Sequence, residues 1–536
     1  MEFDSPLALG GGAMLEGQAA SAWAPVPKSA PRTVGSARRR WSVVGVAAVV
    51  GVGIAERVWV AVHPLGTLTS DGSVIGLMAM ELLHHGQLSA YMWGQSYGGS
   101  LEAVFTAVVF AVTGTGTGQL LAACALTNAL AALALWHAGR RIVGGRAALL
   151  GALAFWVWPE AFVWRSLKPG GTYMVGLALS LCALAALARL HNGDGRWRHM
   201  TWTGVLCGLA FWSSPMSLQI LVPAALWCGP ALWRARRHAP ALLCGAAVGA
   251  FPVTVFGATH RWSNVAVPGG TGLIAGVPHR LVQFFTTEVP IALGARVEGS
   301  LTWVGGPFGI LFAWTALVAV VALGVVVATG RAARCRLPLL TVVLLPLLYS
   351  LNQDAENVGQ GRYVMFGAAV GALLVGVGLD NVADLLGQRV LVGGIAALVV
   401  LCTAGLAMEP APLLVRFGAP DVAMPTNTAP LQAALVAHDV RDAFATYWIA
   451  YRTTFESGGR VAVTAYARQY PPFAGAVLSS NDPAFIFVTT SATLGRFESW
   501  CAHAGVPVHA WRAGSFTIVQ PITKVLPASL PAGLVQ

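Results

Sequence analysis

The chain has little charge. Of its 536 residues, 10% are Asp, Glu, Lys or Arg, and only 22 are acids. A soluble globular chain carries about 25% charged residues. With 56% hydrophobic residues and a mean hydropathy of +0.66, the deficit excludes an ordinary soluble domain. Alternating apolar and polar runs are also missing, which excludes a barrel. Backbone groups in lipid must then be satisfied within each segment, so the spanning form is helical. No CxxC spacing occurs. Among the cysteines only Cys501 lies away from the apolar runs, so no disulfide framework is implied. An internal repeat is lacking, which weakens a transporter reading. No soluble nucleotide-sugar site is legible.

What is there is a series of apolar runs, at roughly 42–62, 119–138, 147–163, 172–190, 201–213, 215–233, 240–258, 304–329, 337–351, 363–379 and 390–408. Together they read as about eleven transmembrane helices. The net charge of +11 does not point to nucleic acid, because the basic residues cluster between these runs. Clusters at Arg140/Arg141/Arg146, Arg196/Arg198, Arg234/Arg236/Arg237 and Arg331/Arg334/Arg336 mark inner loops. Residues 1–40 read as a disordered basic cytoplasmic arm ending in "ARRR".

One further run, "LEAVFTAVVFAVTG" (101–114), sets the parity. At about 1.5 Å per residue it reaches roughly 20 Å, short of a hydrocarbon core near 30 Å. If it crossed, every later basic loop would move outside. It is therefore expected to lie at the outer interface or to dip in as a re-entrant helix. The first outer loop, 63–118, then holds Asp71, His84, His85 and Glu102. Other outer segments are "RSLKPGG" (165–171), 259–303, "NQDAENVGQGRY" (352–363) and the tail from 409. The transmembrane part spans 41–408. In the tail, 409–536, "RVAVTA", "AFIFVTT" and "SFTIVQ" read as strands. "TYWIAYRTTFESGG" and "SATLGRFESWCAHAG" read as helices closed by glycine. Their alternation suggests a small α/β domain on the outer face.

Several outer residues carry chemistry. Asp71 follows the first span within "SDGS", a helix start in which Ser70 or Asp71 could be the cap. An amphipathic helix carrying Val74, Ile75, Met78 and Leu82 is expected to hold it at the interface. A membrane-level acid needs a partner or a task. Glu102, in "GQSYGGSLEA", falls in the first turn of the short apolar helix, where the helix dipole alone would account for it. Arg165, Lys168 and Arg362 are cations on the outer face, against the topological bias. They ask for an anionic partner, and phosphate fits. Snorkelling, or pairing of Arg362 with Asp354 or Glu356, is the plainer account. His260/Arg261 and His279/Arg280 are weaker versions of the same case. His84 and His85 do not face one site and have no third ligand in register, so surface histidines are expected. Glu56 and Arg57, adjacent within the first span, point apart, and each needs its own partner. Trp93, Trp156, Trp158, Trp164, Trp262 and Trp303 fit an interfacial belt better than sugar stacking.

One acid and a few cations suit transfer of a sugar from a polyprenyl phosphate. Phosphate leaves without a general acid, a carboxylate serves as base on the acceptor hydroxyl, and cations stabilise the departing charge.

The order of first span, "SDG", amphipathic helix, "GQSYGGSLEA", short apolar helix and basic-flanked span resembles the GT-C superfamily of membrane glycosyltransferases. It is similar to the branch holding protein mannosyltransferases and aminoarabinose transferases. "GQSYGGSLEAVFTAVVFAVTG" and "YWIAYRTTFESGGRV" look like an uncharacterised bacterial subgroup. The resemblance covers most of 42–520. It implies a hexosyl- or pentosyltransferase of the bacterial inner membrane that inverts the sugar. The donor would be a polyprenyl-phosphate-linked sugar, and the acceptor hydroxyl extracytoplasmic, on a glycan, lipid or protein. By resemblance Asp71 matches the catalytic Asp, and Tyr97 to Glu102 occupies the place of a Tyr-and-acid segment of the donor pocket. "GRYV", with Arg362 and Tyr363, resembles an Arg-Tyr segment of a later outer loop. Two departures stand out. Gly72 stands where many relatives have a second acid. "RSLKPGG" lacks the acid of several relatives, and Glu160 is the nearest substitute. No metal site or required cofactor is assigned, and a need for a divalent cation stays open. A lipid-linked-sugar flippase and a non-catalytic sugar-binding protein of the same fold are the alternatives.

Overall fold

The computed structural model describes residues 36–170, 172–264, 274–328, 333–352, 355, 359–408, 425–467 and 469–535. Residues 1–35 of the expected arm, Asp354 and Glu356 lie outside this set. The site lies in the compact unit Val49–Gln536.

The protein is a multi-pass helical membrane protein with a small C-terminal sheet domain. Helix α1 (Ser36–Val62) begins inside the stretch read as an arm. Two helices of the loop 63–118 follow, α2 (Ser70–His85) and α3 (Leu101–Thr113). The 13 residues of α3 match the short length read from the sequence. Next come α4 (Thr117–Ile142), α5 (Gly145–Val157), α6 (Glu160–Arg165), α7 (Met174–His191), α8 (Trp197–Ser213) and α9 (Leu218–Arg234). The run expected as one span over 147–163 is broken into α5 and α6, because Pro159 has no N–H to continue the ladder. The run at 240–258 is likewise broken into α10 (Ala239–Gly249) and α11 (Phe251–Thr259), bent by 61° ahead of Pro252. Short helices α12 (Val277–Gln283) and α13 (Val289–Ala292) lie in the long outer segment. They lead to α14 (Pro307–Ala328), α15 (Arg336–Ser350), α16 (Met365–Leu386) and α17 (Gln388–Met408).

Every run expected to span is thus helical. Among the described residues seven helices are long and apolar enough to cross a membrane, or eight if the bent pair is one span. Glycines set the closest helix contacts. A Cβ on Gly204 or Gly208 of α8 would stand 2.1 or 2.3 Å from a carbonyl oxygen of α10. Gly245 and Gly249 of α10 return the contact on Thr201 and Val205 at 2.1 and 2.3 Å. This is a reciprocal small-xxx-small seam, which lets two backbones touch where lipid supplies no hydrophobic drive.

The tail holds α18 (Ala429–Ala437), β1 (Asp442–Ala445), α19 (Tyr447–Glu456), β2 (Ala462–Ala465), α20 (Pro471–Ser479), β3 (Ala484–Val488), α21 (Ala492–His503), β4 (Val508–Ala513) and β5 (Phe516–Pro521). The strand order is β2-β1-β3-β5-β4. Strand β1 is parallel to β2 and β3, while β5 runs antiparallel to β3 and β4. The sequence reading found three of these strands and missed the short β1 and the edge strand β4. Period-two alternation divides the sheet. Phe444, Phe485, Phe487 and Val519 pack with Phe497 of α21. Ala443, Ala445, Val463, Ile486 and Ile518 belong to a core that continues through Tyr451 and Phe455 into α2, α3 and α4. The tail is therefore fused to the outer helices by shared apolar burial.

Replacing Gly208 by Leu is expected to cost about 1–3 kcal/mol by overpacking the α8–α10 seam. Gly229 of α9, whose Cβ position is open, is the control. Thermal melting in detergent should drop for Gly208→Leu and hold for Gly229→Leu. Equal melting of the two would remove the seam from the account.

Candidate functional site

The site is built from the start of α2. Thr69 is extended, and its Oγ1 accepts from the Gly72 N–H at 3.2 Å. Thr69 is therefore the cap, not Ser70 or Asp71. Asp71 falls in the first turn, near the positive end of the helix dipole, with its carboxylate not used in capping. The Tyr447 hydroxyl, at the start of α19, donates to Asp71 Oδ1 at 2.7 Å. Ser70 Oγ donates to the Tyr447 backbone oxygen at 2.5 Å. The Tyr470 hydroxyl reaches the Tyr447 hydroxyl at 3.5 Å, and the Tyr470 and Tyr451 rings stack at 4.4 Å. Burial first, then the Asp71 carboxylate and Tyr470, hold the Tyr447 hydroxyl well above the usual phenol range, so it stays a donor.

Helix α2 was expected to be amphipathic and to hold Asp71 at the interface. Its first turns are enclosed by protein on more than one side. All but Asp71 of its residues from Ser70 to Ala79 are buried. The reason is the glycines. A Cβ on Gly72 would stand 2.8 Å from Pro169, and one on Gly76 2.3 Å from Phe455 of α19. One side of α2 takes the second outer segment and another takes the tail. Filling the Gly76 notch with Phe455 stabilises the docking by roughly 1.5–3 kcal/mol.

The second outer segment links the parts. Lys168 Nζ donates to the carbonyls of Leu65 and Thr67, at 2.6 and 2.8 Å, and fixes the chain just ahead of Asp71. Thr172 fills the space over Gly98, which has φ +77° and so needs glycine in the "YGGS" turn. Tyr173 lies under the Arg362 guanidinium at 5.6 Å, and Tyr363 accepts from it at 2.8 Å. Arg362 Nε is buried without a hydrogen-bond partner among the described residues. Arg165 is ion-paired with Glu298 and stacks on Trp164 at 4.9 Å.

Of the other expected residues, Glu160 joins the Arg165–Glu298 pair through the Glu298 main chain. Glu102 is buried inside the protein, where Cys124 of α4 donates to it at 3.5 Å. Glu160 is buried against Gly405 of α17 and accepts from the Glu298 N–H at 3.4 Å. Tyr97 is exposed in the first outer loop. Arg280 is fully buried and donates to the Ser350 carbonyl at the end of α15, at 2.6 Å. His84 and His85 are on the surface, and His85 pairs with Glu81 at 2.8 Å. Arg57 donates to Gly53, Trp156 and Asn128, as a charge within a span must. Trp156 and Trp158 are buried rather than belted at the interface, and Trp93 packs on Tyr470 and Phe473 of the tail. All eight cysteines are free. Among the described residues no three His, Cys, Asp or Glu side chains are grouped to hold a metal ion.

Sequence reasoning missed Tyr447, Glu288 and Glu298. Tyr447 was in plain view in "TYWIAY", a tyrosine-rich helix start inside a stretch already singled out. The two acids gave no signal, being alone in a long segment. Glu288 is fully buried and accepts from the Gly359 N–H at 3.0 Å. Burial first, then the charge of Glu298, pushes its carboxyl up to about 7.

A carboxyl raised from its unfolded value stabilises the fold below that value and loses the contribution as pH rises through about 7. Stability, followed by thermal melting, is expected to fall between pH 5 and pH 8, by on the order of 3 kcal/mol at most. Glu288→Gln should flatten that slope. An unchanged slope would show that Glu288 does not carry it.

Residues 101–256 match the family model for dolichyl-phosphate-mannose-protein mannosyltransferases. The whole fold is similar to that of ArnT from Cupriavidus metallidurans. Against ArnT bound to undecaprenyl phosphate the TM-score is 0.59 at 12% identity, covering 92% of this chain and 99% of that one. Against the apo state it is 0.57 at 13% identity, covering 90% and 98%. No curated protein matches the chain. The likeness shows the fold alone, one shared with ArnT.

Proposed function

We propose that this GT-C-fold membrane protein is an inverting glycosyltransferase that moves a sugar from a polyprenyl phosphate to an acceptor hydroxyl outside the cytoplasm. The observation that carries the reading is the setting of Asp71. It is an acid at a helix start, held among the described residues through one oxygen, where the first outer loop, the second outer segment and the tail meet. A carboxylate so held can take the acceptor proton on Oδ2. The acceptor oxygen then attacks the anomeric carbon from the face opposite the phosphate. The bond from that carbon to the phosphate oxygen breaks, and its electron pair leaves with the phosphate.

The departing charge needs a cation already in place. Arg362 fits best, with a planar guanidinium held by Tyr173 and Tyr363 and one buried donor unassigned among the described residues. Lys168 and Arg165 were candidates for the same work. Their partners suit a different task, keeping the loops around Asp71 and Arg362 in position. The ArnT structure bound to undecaprenyl phosphate supports a lipid-phosphate donor, since that protein has the same fold. Asp71 and the tail then belong on the extracytoplasmic side, as the basic inner loops require.

The test is product formation by the purified protein from a panel of polyprenyl-phosphate sugars. Asp71→Asn is expected to lower turnover by about 10²–10⁴-fold, the usual contribution of a general base. Arg362→Ala should lower it by about 10²–10³-fold. A folded Asp71→Asn protein at full rate would sink the reading. Movement of labelled lipid-sugar across reconstituted vesicles, with no new glycosidic bond, would favour a flippase.

A further inference from the structure

We infer that Tyr447 of the C-terminal domain is the positioning residue for Asp71, so that the tail completes the catalytic centre rather than merely covering it. The inference rests on the transfer reading above. It starts from a division of labour on α19. Phe455 supplies the docking, by filling the notch at Gly76. Tyr447, at the other end of the same helix, supplies a hydroxyl aimed at Asp71 Oδ1 at 2.7 Å.

That hydroxyl is itself held. The Tyr447 backbone oxygen accepts from Ser70, the residue next to Asp71, so the tyrosine and the acid are tied in register through the main chain. The Tyr470 hydroxyl approaches from behind at 3.5 Å. Tyr470 is in turn fitted over Gly94, where a Cβ would stand 2.5 Å from its hydroxyl. Gly94 belongs to the "GQSYGG" stretch of the first outer loop, and its φ of +76° is one that glycine adopts freely. Two tyrosines of the tail and two segments of the first outer loop thus lock one carboxylate.

The chemical consequence is directional. A free aspartate turns about χ2 and presents either oxygen. With Oδ1 accepting from Tyr447, rotation is stopped and Oδ2 is the oxygen that faces an incoming hydroxyl. Tyr447 keeps its proton throughout. The proton that moves is the acceptor's, from its oxygen to Asp71 Oδ2, as that oxygen bonds to the anomeric carbon and the phosphate leaves. Tyr447 touches neither sugar nor phosphate in this scheme.

The experiment is a double-mutant cycle on the full-length protein: wild type, Tyr447→Phe, Asp71→Asn and the double variant. The probe is the polyprenyl-phosphate sugar that the wild type turns over. Tyr447→Phe keeps the ring and is expected to lower kcat about ten- to hundredfold. The donor KM should stay within about twofold. On the Asp71→Asn background the same change should have no further effect on kcat. An unchanged kcat for Tyr447→Phe overturns the inference. So does an equal fall in both backgrounds, which is what a purely structural tyrosine gives. If Tyr447→Phe does not accumulate, Tyr470→Phe, one hydroxyl further out, should lower kcat about two- to fivefold with the same dependence on Asp71.

Melting points of the four proteins separate this failure from failure of the transfer reading. A wild type that turns over no donor, with non-additive melting shifts, overturns the transfer reading and leaves the Tyr447–Asp71 contact standing. Additive melting shifts overturn the contact, whatever the activity.

Discussion

The packing of α19 on α2 is the constraint from which the rest follows. An outer helix beside a membrane has two ways to satisfy its apolar residues, by facing lipid or by facing protein. Helix α2 faces protein, because Gly72 and Gly76 remove the side chains that would hold neighbours away. Pro169 enters at one position and Phe455 at the other. Once both are seated, the first outer loop, the second outer segment and the tail are fixed to a single turn of helix. That turn carries Asp71. An acid exposed on a mobile loop would rotate freely, whereas this one is placed by three elements of the chain.

The scarcity of charge sharpens the second point. Cations on the outer face run against the usual bias, and from sequence each seemed to want an anionic ligand. The structure gives most of them protein partners. Arg165 has Glu298, Lys168 has the Leu65 and Thr67 carbonyls, and Arg280 has the end of α15. These are charge-assisted contacts, stronger than neutral hydrogen bonds and suited to holding loops that have little apolar surface of their own. Arg362 differs, because its guanidinium lies between aromatic rings and keeps a buried Nε donor unassigned among the described residues. A cation over aromatic faces is oriented by the rings, and the Glu298 carboxylate also acts on this one.

Much of the architecture was legible because membrane helices carry a loud signal. Every long apolar run is helical, two of them broken in two, and the short run at 101–114 is a helix of 13 residues. Three tail strands were legible from β-branched and aromatic runs. The site was less so, for specific reasons. The burial of α2 depends on what stands opposite Gly72 and Gly76, and those neighbours are Pro169 and Phe455, far along the chain. Arg165 pairs with an acid 133 residues away, and Tyr447 reaches Asp71 across 376. Local pattern carries no information on such pairings. Proline alone does not mark the breaks at Pro159 and Pro252, since Pro223, Pro230 and Pro346 lie inside unbroken helices, whereas the glycine seam of α8 and α10 is legible in the spacing of "GVLCG" and "GAAVG".

The position after Asp71 shows how packing and chemistry exclude one another. By resemblance a second acid is expected there, and the chain has Gly72. A Cβ at this position would stand 2.8 Å from Pro169 Cγ and 3.2 Å from the Pro169 oxygen, before any carboxylate is added. An acid would have to push the second outer segment away, and with it Lys168, the chain ahead of Asp71 and the Tyr173 face beneath Arg362. The glycine is therefore required by the packing that builds this site. Any chemistry at this helix start runs on one carboxylate, and a single carboxylate must be oriented by something other than a neighbouring acid and its counter-ion. In this chain a hydroxyl from the tail stands in that place.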